Sequence, residues 1–364
     1  MKKLIVAGVC LVLSLLCCGC FPTTQLEERA IVQAAAVDHT ESGYAVTLQV
    51  FAPLESGENS GGSNAYLLLE GSGQTLTQAF EAAAQKGKEI YLGSCHTLVV
   101  GGNALRQLKG ILDYFNSRPQ TRATMQVACT GGEAAALLKN SEVTPSPAAD
   151  IEQLLLLAQK EKRLPHSRLM DILSALEDPT CHAVLPLLNS AEEQAAPPLL
   201  SGGLFYRDGT VDLTLSAEEL VPLNWLEKGR GNLLLELEDD SAVVLLEAFK
   251  PQIAVSLEGS KPQISLKLRA KGRVSEYEGG SPDHLEQAEL ERLQQAAAQQ
   301  MADQLNTLMQ RLCQSGCDPL RLGDRLKRSH PDQWATAAQS WPQLLWQAQW
   351  KAQVDCRLTT YSGK

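Results

Sequence analysis

The cysteine at position 20 has the surroundings that most clearly call for chemistry. Before it come Lys2 and Lys3, an apolar stretch from Leu4 to Leu16 interrupted only by Gly8 and Ser14, and the run Cys17-Cys18-Gly19. A helix that crosses the hydrocarbon core needs about twenty apolar residues, and this stretch ends short of that before Pro22-Thr23-Thr24-Gln25. A basic start, a short apolar middle and a small residue at the end make a secretion signal. Gly19 places Cys20 where the lipidating enzymes need a thiol, at the N-terminus that cleavage creates. Cys17 stands three residues before it, where leucine is usual. The competing readings are an uncleaved anchor and a cleaved signal with a free Cys20.

Elsewhere the reactive residue types do not assemble. His39, His96, His166, His182, His284 and His330 are scattered, with no pair at the helical spacing of a metal signature, so no metal site is expected. Gly-x-Ser-x-Gly is absent. Gly71-Ser72-Gly73 lies between a strand and a helix start, where backbone amides could hold phosphate, yet Leu76 takes the place of the third glycine and no Lys-Ser/Thr follows. His284-x-Glu286 starts a deaminase-like motif that is never completed. Cys313 and Cys317, four apart, read as a pair of thiols near a helix end or as a disulfide. No acid, base, nucleophile and orienter occur together, so the expectation is a chain with no catalytic residues and no cofactor.

Composition agrees. The chain has 364 residues, 44% hydrophobic and 5% aromatic, with net charge -10. That supports a multi-domain body with real cores and argues against a nucleic-acid partner, which would need a concentrated basic face. Loss of the signal removes two lysines and no acid, so the exported body is more acidic still, and no electrostatic hold on anionic lipid is expected. Cys95, Cys129, Cys181, Cys313, Cys317 and Cys356 remain in the body, too widely spaced for a small stapled domain.

The elements that carry these residues can be laid out along the chain. Residues 1–19 are the signal and 20–28 a tether. A mostly buried strand over Ala30–Val37 and an alternating strand over Tyr44–Phe51 form a hairpin. The polar stretch Pro53–Asn64 is a surface loop, and Ala65–Leu69 is a strand leading to a helix from Thr75, which has capping-box spacing with Gln78. Strands at Cys95–Val100 and Thr124–Cys129 alternate with helices at Leu105–Phe115, Glu133–Leu138, Ala149–Lys162 and Ser167–Leu176. Residues 29–190 form an N-terminal α+β region, with room for two subdomains, and the polar, proline-ended segment 191–198 a linker. The C-terminal α+β domain, 199–364, opens with a hairpin around Asp208-Gly209 and a helix at Ala217–Leu226. Strands follow at Leu233–Leu237, Ala242–Leu246, Ile253–Leu257 and Ile264–Ala270. After Ser281-Pro282-Asp283 comes an amphipathic helix of about thirty residues, roughly 45 Å long, with a stripe from Leu285 to Leu312. The fold class is α+β with mixed and antiparallel sheets. Lys267, Arg269, Lys271 and Arg273 share one strand face, either solvated or facing an acidic partner. Trp334, Trp341, Trp346 and Trp350 crowd the C-terminal region as core, ligand or interface residues.

The sequence resembles one family, the Ger(x)C spore germination lipoproteins, which are the C subunits of nutrient-germinant receptors. Its landmarks are Gly19-Cys20, the strand ending Val37-Asp38, Glu70-Gly71-Ser72-Gly73-Gln74-Thr75-Leu76, and Tyr91-Leu92-Gly93 before a strand ending Val99-Val100-Gly101. Further on come Gly272-Arg273-Val274-Ser275-Glu276, Cys317-Asp318-Pro319-Leu320-Arg321-Leu322-Gly323 and His330-Pro331-x-x-Trp334, in the family's order. Phe21-Pro22 replaces the usual Trp-Asp, and Ser94 stands where a histidine is common. The resemblance implies a three-domain α+β lipoprotein held in the bilayer by lipid on Cys20. It implies a place on the outer face of the cell membrane, in the spore the inner membrane, beside membrane-embedded A and B subunits. No ligand-binding residue is implied; Asp318, Pro319, Leu320 and Gly323 match a motif expected to be a folding turn. The alternative from another class is a solute-binding lipoprotein of a transporter, which would show two similar lobes.

Overall fold

The computed structural model describes residues 29–52, 66–84, 89–139, 146–189, 198–237 and 242–360. The segments read as signal and tether, Cys20, the expected loop Pro53–Asn64 and most of the expected 191–198 linker lie outside them. Nine strands make the first sheet: β1 (Arg29–Thr40), β2 (Gly43–Phe51), β3 (Tyr66–Gly73), β4 (Glu89–Tyr91), β5 (Thr97–Val100), β6 (Gln126–Thr130), β7 (Ala183–Leu188), β8 (Leu200–Arg207) and β9 (Thr210–Ser216). Their order is β3-β2-β1-β5-β6-β7-β8-β9, with β4 also paired to β1. The middle of the sheet is parallel and both flanks are antiparallel hairpins. Strands covered on both faces read as near-continuous apolar runs, and Ala34–Val37 of β1 is such a run. Ala34 and Ala36 enter one core while Ala35 and Val37 enter the other.

The strands on either side of the expected linker, β7 and β8, are hydrogen-bonded neighbours. The sheet therefore continues through that point of the chain. Strand β7 had no sequence reading, because Pro186 interrupts a short apolar run that alternation cannot assign.

The second sheet has the order β10 (Gly229–Glu236), β11 (Ala242–Glu258), β12 (Lys261–Tyr277), β13 (Gln349–Thr359). Its first three strands are antiparallel, and β13 returns parallel to β12 after a helical crossover. The two strands expected at Ala242–Leu246 and Ile253–Leu257 are one continuous strand. Pro251 does not break it, because β10 pairs β11 only as far as Phe249, so the N–H that proline lacks faces no ladder partner. The helix expected from Pro282 begins later. Ser281 caps a single 3₁₀ turn, Pro282–His284, Leu285 is extended, and the long helix runs Gln287–Gln314. Its stripe Leu293, Ala297, Met301, Leu305, Leu308 and Leu312 is buried in a core shared with Ala34, Ala36 and Phe205 of the first sheet and Val244, Leu266 and Ala270 of the second. Glutamine side chains meet this sheet's edges: Leu358 N donates to Gln294 Oε1 at 3.1 Å, and Gln300 Nε2 donates to Glu236 O at 2.9 Å. Gln333 does so twice at Leu257, accepting from its N at 2.9 Å and donating to its O at 3.4 Å.

The helices of the first half are α1 (Leu76–Ala84), α2 (Leu108–Asn116), α3 (Ala134–Leu137), α4 (Pro147–Lys160) and α5 (Leu169–Leu176); those of the second are α6 (Ala217–Trp225), the long α7, α8 (Leu322–Ser329), α9 (Pro331–Ala337) and α10 (Trp341–Leu345). A 3₁₀ turn, Gly102–Gln107, precedes α2. Thr75 caps α1 as its spacing predicts, accepting from Gln78 N at 3.2 Å, while Gln78 returns to the backbone N of Gln74.

The Gly71-Ser72-Gly73 run is strand, and its glycines admit α1 rather than phosphate. A Cβ on Gly71 would stand 2.2 Å from the carbonyl oxygen of Ala79. Gly71→Ala should therefore cost about 1–3 kcal/mol by overpacking. Gly110→Ala, in α2 with nothing within 4 Å of the new carbon, should stabilise by about 0.5–1 kcal/mol. Urea unfolding checks both, and a neutral Gly71→Ala would remove the close-approach account.

Candidate functional site

The motif residues after α7 build a deeply buried polar site. Helix α7 ends in a Schellman turn: Gly316 takes φ +65°, its N–H bonds Cys313 O at 3.0 Å, and Cys317 N–H bonds Leu312 O at 2.9 Å. The chain then enters the core at Asp318, which is fully buried. Its carboxylate accepts three N–H groups, from Leu322 at 2.8 Å, Gly323 at 2.9 Å and Trp341 Nε1 at 3.0 Å. These bonds satisfy the start of α8 and fix α10 against it. Trp341 in turn meets Trp334 edge to face at 5.5 Å.

Asp318 also joins the two halves of the chain. Its backbone N–H donates to His182 Nδ1 at 3.1 Å, and His182 N–H donates to Asp318 O at 3.2 Å. With Nδ1 accepting, the proton of the neutral ring sits on Nε2 and is donated to Asp212 Oδ2 at 2.9 Å on β9. Arg207 on β8 reaches the same carboxylate oxygen at 3.4 Å. Trp341, Asp318, His182, Asp212 and Arg207 thus form one polar chain from the helices after α7 to the far edge of the first sheet.

An Asp–His pair beside Cys317 has the residue types of a nucleophilic site, but its electrostatics oppose that chemistry. Burial pushes the Asp318 carboxyl up to about 6, against the lowering effect of its three N–H donors. Burial also lowers His182 from its ordinary value, outweighing the Asp212 bond. The Cys317 thiol is pushed up to about 12 by burial, as are Cys95, Cys181, Cys313 and Cys356. A nucleophilic cysteine needs its thiolate, so the arrangement serves as a clamp. The six cysteines among the described residues are buried free thiols, Cys313 and Cys317 included.

Asp38, the acid that closes β1, repeats the device on a smaller scale. Its carboxylate accepts the N–H groups of Ala134 at 2.8 Å and Ala135 at 3.0 Å at the start of α3, and burial raises its carboxyl. Both motif acids therefore hold helix starts to the body.

The other sequence candidates disperse. His284 ends the 3₁₀ turn before α7 and Glu286 is the N-cap of α7. Trp341 is core, and Trp346 is 63% exposed. Lys267, Arg269 and Lys271 stand exposed on the outward face of β12, and Arg273 pairs with Glu247 at 2.7 Å. This face floors a groove of about 1030 Å³. Among the described residues, no group of three or more His, Cys, Asp and Glu could hold a metal ion. Nothing in the sequence pointed to the meeting of His182, Asp212 and Asp318, since the contact spans 136 residues and follows from two strands and a loop that only the fold brings together.

Comparison with known proteins completes the picture. Residues 22–190 match the family described as spore germination protein N-terminal domain, and residues 201–361 the one described as spore germination B3/GerAC like, C-terminal. The chain belongs to the GerAC-like spore germination family. Within that family it is 18% identical, over 352 residues and 94% of each chain, to spore germination protein B3 of Bacillus subtilis (strain 168). The crystal structure of the GerBC protein superposes with a TM-score of 0.60 at 16% identity, over 90% of this chain and 97% of that one. The α+β class expected from the sequence is the class observed.

The clamp sets a pH signature. A carboxyl at about 6 in the folded chain, against 3.8 unfolded, binds its proton more tightly when folded, so Asp318 stabilises most at low pH and that stability is lost as pH rises through this window. His182, lowered below 6.5, has the opposite sign: its stability is present above 6.5 and is lost as pH falls below it. Asp318→Asn removes the first slope and keeps the second. It should cost about 3 kcal/mol or more at neutral pH by leaving buried N–H groups unmatched, and it should lose stability on acidification more steeply than the parent. Urea midpoints across the window measure both; parallel pH curves would contradict the assignment.

Proposed function

We propose that this chain is the lipid-anchored C subunit of a spore nutrient-germinant receptor, a non-catalytic component that acts through membrane-embedded A and B subunits. The observation that carries this reading is the match of both halves of the chain to spore germination domains, over residues 22–190 and 201–361. The likeness to spore germination protein B3 and to the GerBC fold supports it. Gly19-Cys20 behind a short apolar segment supports the lipid anchor, which would place the body on the outer face of the cell membrane and at the inner membrane of the spore. The burial of His182, Asp318 and every described cysteine supports a role without covalent or acid–base chemistry. A solute-binding lipoprotein would call for two like lobes, whereas a nine-stranded mixed sheet here adjoins a four-stranded sheet with one long helix.

A lipid anchor would concentrate the body beside its partners, at about millimolar effective concentration for a short flexible tether. Deleting the gene should abolish germination to at least one nutrient. Cys20→Ala should slow that response on the order of tenfold or more and abolish lipid labelling, with the response to a non-nutrient trigger unchanged. Deletion spores that answer every nutrient normally, while growing cells lose uptake of a solute, would replace this reading with the solute-binding one.

A further inference from the structure

The groove on the outer face of the second sheet has a charge unlike that of the chain around it. The cross-strand register lines up Lys250, Arg269 and Asp355 in one row, Gln252, Lys267 and Gln353 in the next, and Ala248, Lys271 and Arg357 in a third. Lys228, just before β10, and Glu291 of α7 also line the groove. Five cations, Lys228, Lys250, Lys267, Arg269 and Arg357, therefore face two acids, in a chain whose net charge is -10. Asp355 pairs with Arg357 of its own strand at 3.7 Å. Among the described residues, Lys228, Lys250, Lys267, Arg269 and Lys271 have no carboxylate within ion-pair distance. Lys250 stands directly opposite Arg269, and like charges so placed destabilise a sheet. Asp355, on the other side of Arg269, offsets part of this; an anionic occupant would relieve the rest.

Shape and lining narrow the class of occupant. The flank of α7 carrying Gln294, Gln295 and Ala298 lines the groove together with the strand residues, so the groove is concave, with about 1030 Å³ of space. A flat bilayer surface cannot reach such a floor. A bilayer contact also calls for apolar residues beside the charges, and none of the large exposed apolar side chains among the described residues lines the groove. Instead Gln252, Gln294, Gln295 and Gln353 line it. Glutamine amides both donate and accept, which suits a peptide backbone, while the cations suit its carboxylates.

We propose that this groove holds an extended acidic segment, rich in Asp and Glu, of a protein partner. The proposal rests on the reading that the chain works through protein partners, and it names the surface and the chemistry by which one is held. Occupancy would order the segment across β11, β12 and β13, and would be weakened by salt, since most of the attraction is between partly exposed charges.

The test uses the full chain purified in detergent and a fluorescent deca-glutamate peptide, with deca-glutamine as control. Binding of the glutamate peptide alone, falling with salt and falling tenfold or more in Lys267→Glu/Arg269→Glu, is the expected result. Lys160→Glu, exposed elsewhere, should leave it unchanged. Both groove residues are exposed, so the melting midpoint should stay put; should it drop, Lys250→Gln gives a milder second variant with the same expected direction. Equal peptide binding in parent and groove variants overturns the proposal. So does groove-dependent binding of phosphatidylglycerol micelles without peptide binding, which would assign the face to the bilayer. Binding that appears only after Glu238, Asp239 and Asp240 are neutralised would assign it to this chain's own acidic segment and overturn it as well. In spores, Lys267→Glu/Arg269→Glu at normal protein level should slow the nutrient response. A normal response from those spores, with the deletion defective, overturns the groove and leaves the receptor reading standing.

Discussion

The second half of the molecule hangs on one carboxylate withdrawn from water. Asp318 alone links the end of α7, the start of α8, the indole of Trp341 and, through His182, the strands β8 and β9 of the first sheet. Removing a charged group from water costs several kcal/mol unless its hydrogen bonds are all made. Here three N–H donors meet it, and they come from the starts of α8 and α10, helices that also bury Leu322, Leu326, Trp341 and Leu345 in the core. The left-handed turn at Gly316 ends α7 just before Asp318, and the left-handed backbone of Arg321 stands just before Leu322 and Gly323, whose amides meet its two carboxylate oxygens.

The clamp works because the two sheets already share a core. Alternate residues of β1 enter opposite clusters, and the cluster on one face continues through Phe205 and Trp225 to the buried stripe of α7. A long helix buried along its length resists sliding over its sheet, since close-packed interiors tolerate little change in shape. The polar chain through His182 then adds what packing lacks, a defined angle between the halves. The family's landmark acids, Asp38 and Asp318, both act by holding helix starts to this frame.

Much of this was legible from local pattern. The first hairpin, α1 with its Thr75 cap, the Asp208-Gly209 turn and the stripe of α7 follow from alternation, capping and helical period, which depend on near neighbours. Readings failed where a distant partner decided. The strands read separately at Ala242–Leu246 and Ile253–Leu257 are one, since the short reach of β10 removes the need for an N–H at Pro251, and Leu285 fell outside the helix because the 3₁₀ turn after Ser281 uses up the capping residues. Strand β7 gave no signal, because Pro186 sits in the only apolar run that marks it. The basic face of β12 was visible in its alternation. The groove was not, because Lys250, Asp355 and Arg357 reach it from strands up to about a hundred residues away. Net acidity argued against nucleic acid and against a hold on anionic lipid, while the strand face itself was left as solvated or facing an acidic partner; the register of three strands adds the neighbouring cations.

The glutamines at the rim of the second sheet have a consequence for chains crowded on a surface. An open strand is a template for another copy of itself, and natural sheets must blunt such edges. Here β10, the tail of β11 beyond β10, and β13 each present backbone groups, and each is met by a side-chain amide from a helix of the same molecule: Gln300, Gln333 and Gln294. At Leu257 the Gln333 amide supplies both an acceptor and a donor, as a neighbouring strand would. Side-chain amides in this way stand in for missing strands, and copies packed side by side lose the ready route to edge-to-edge stacking that aggregation would otherwise take.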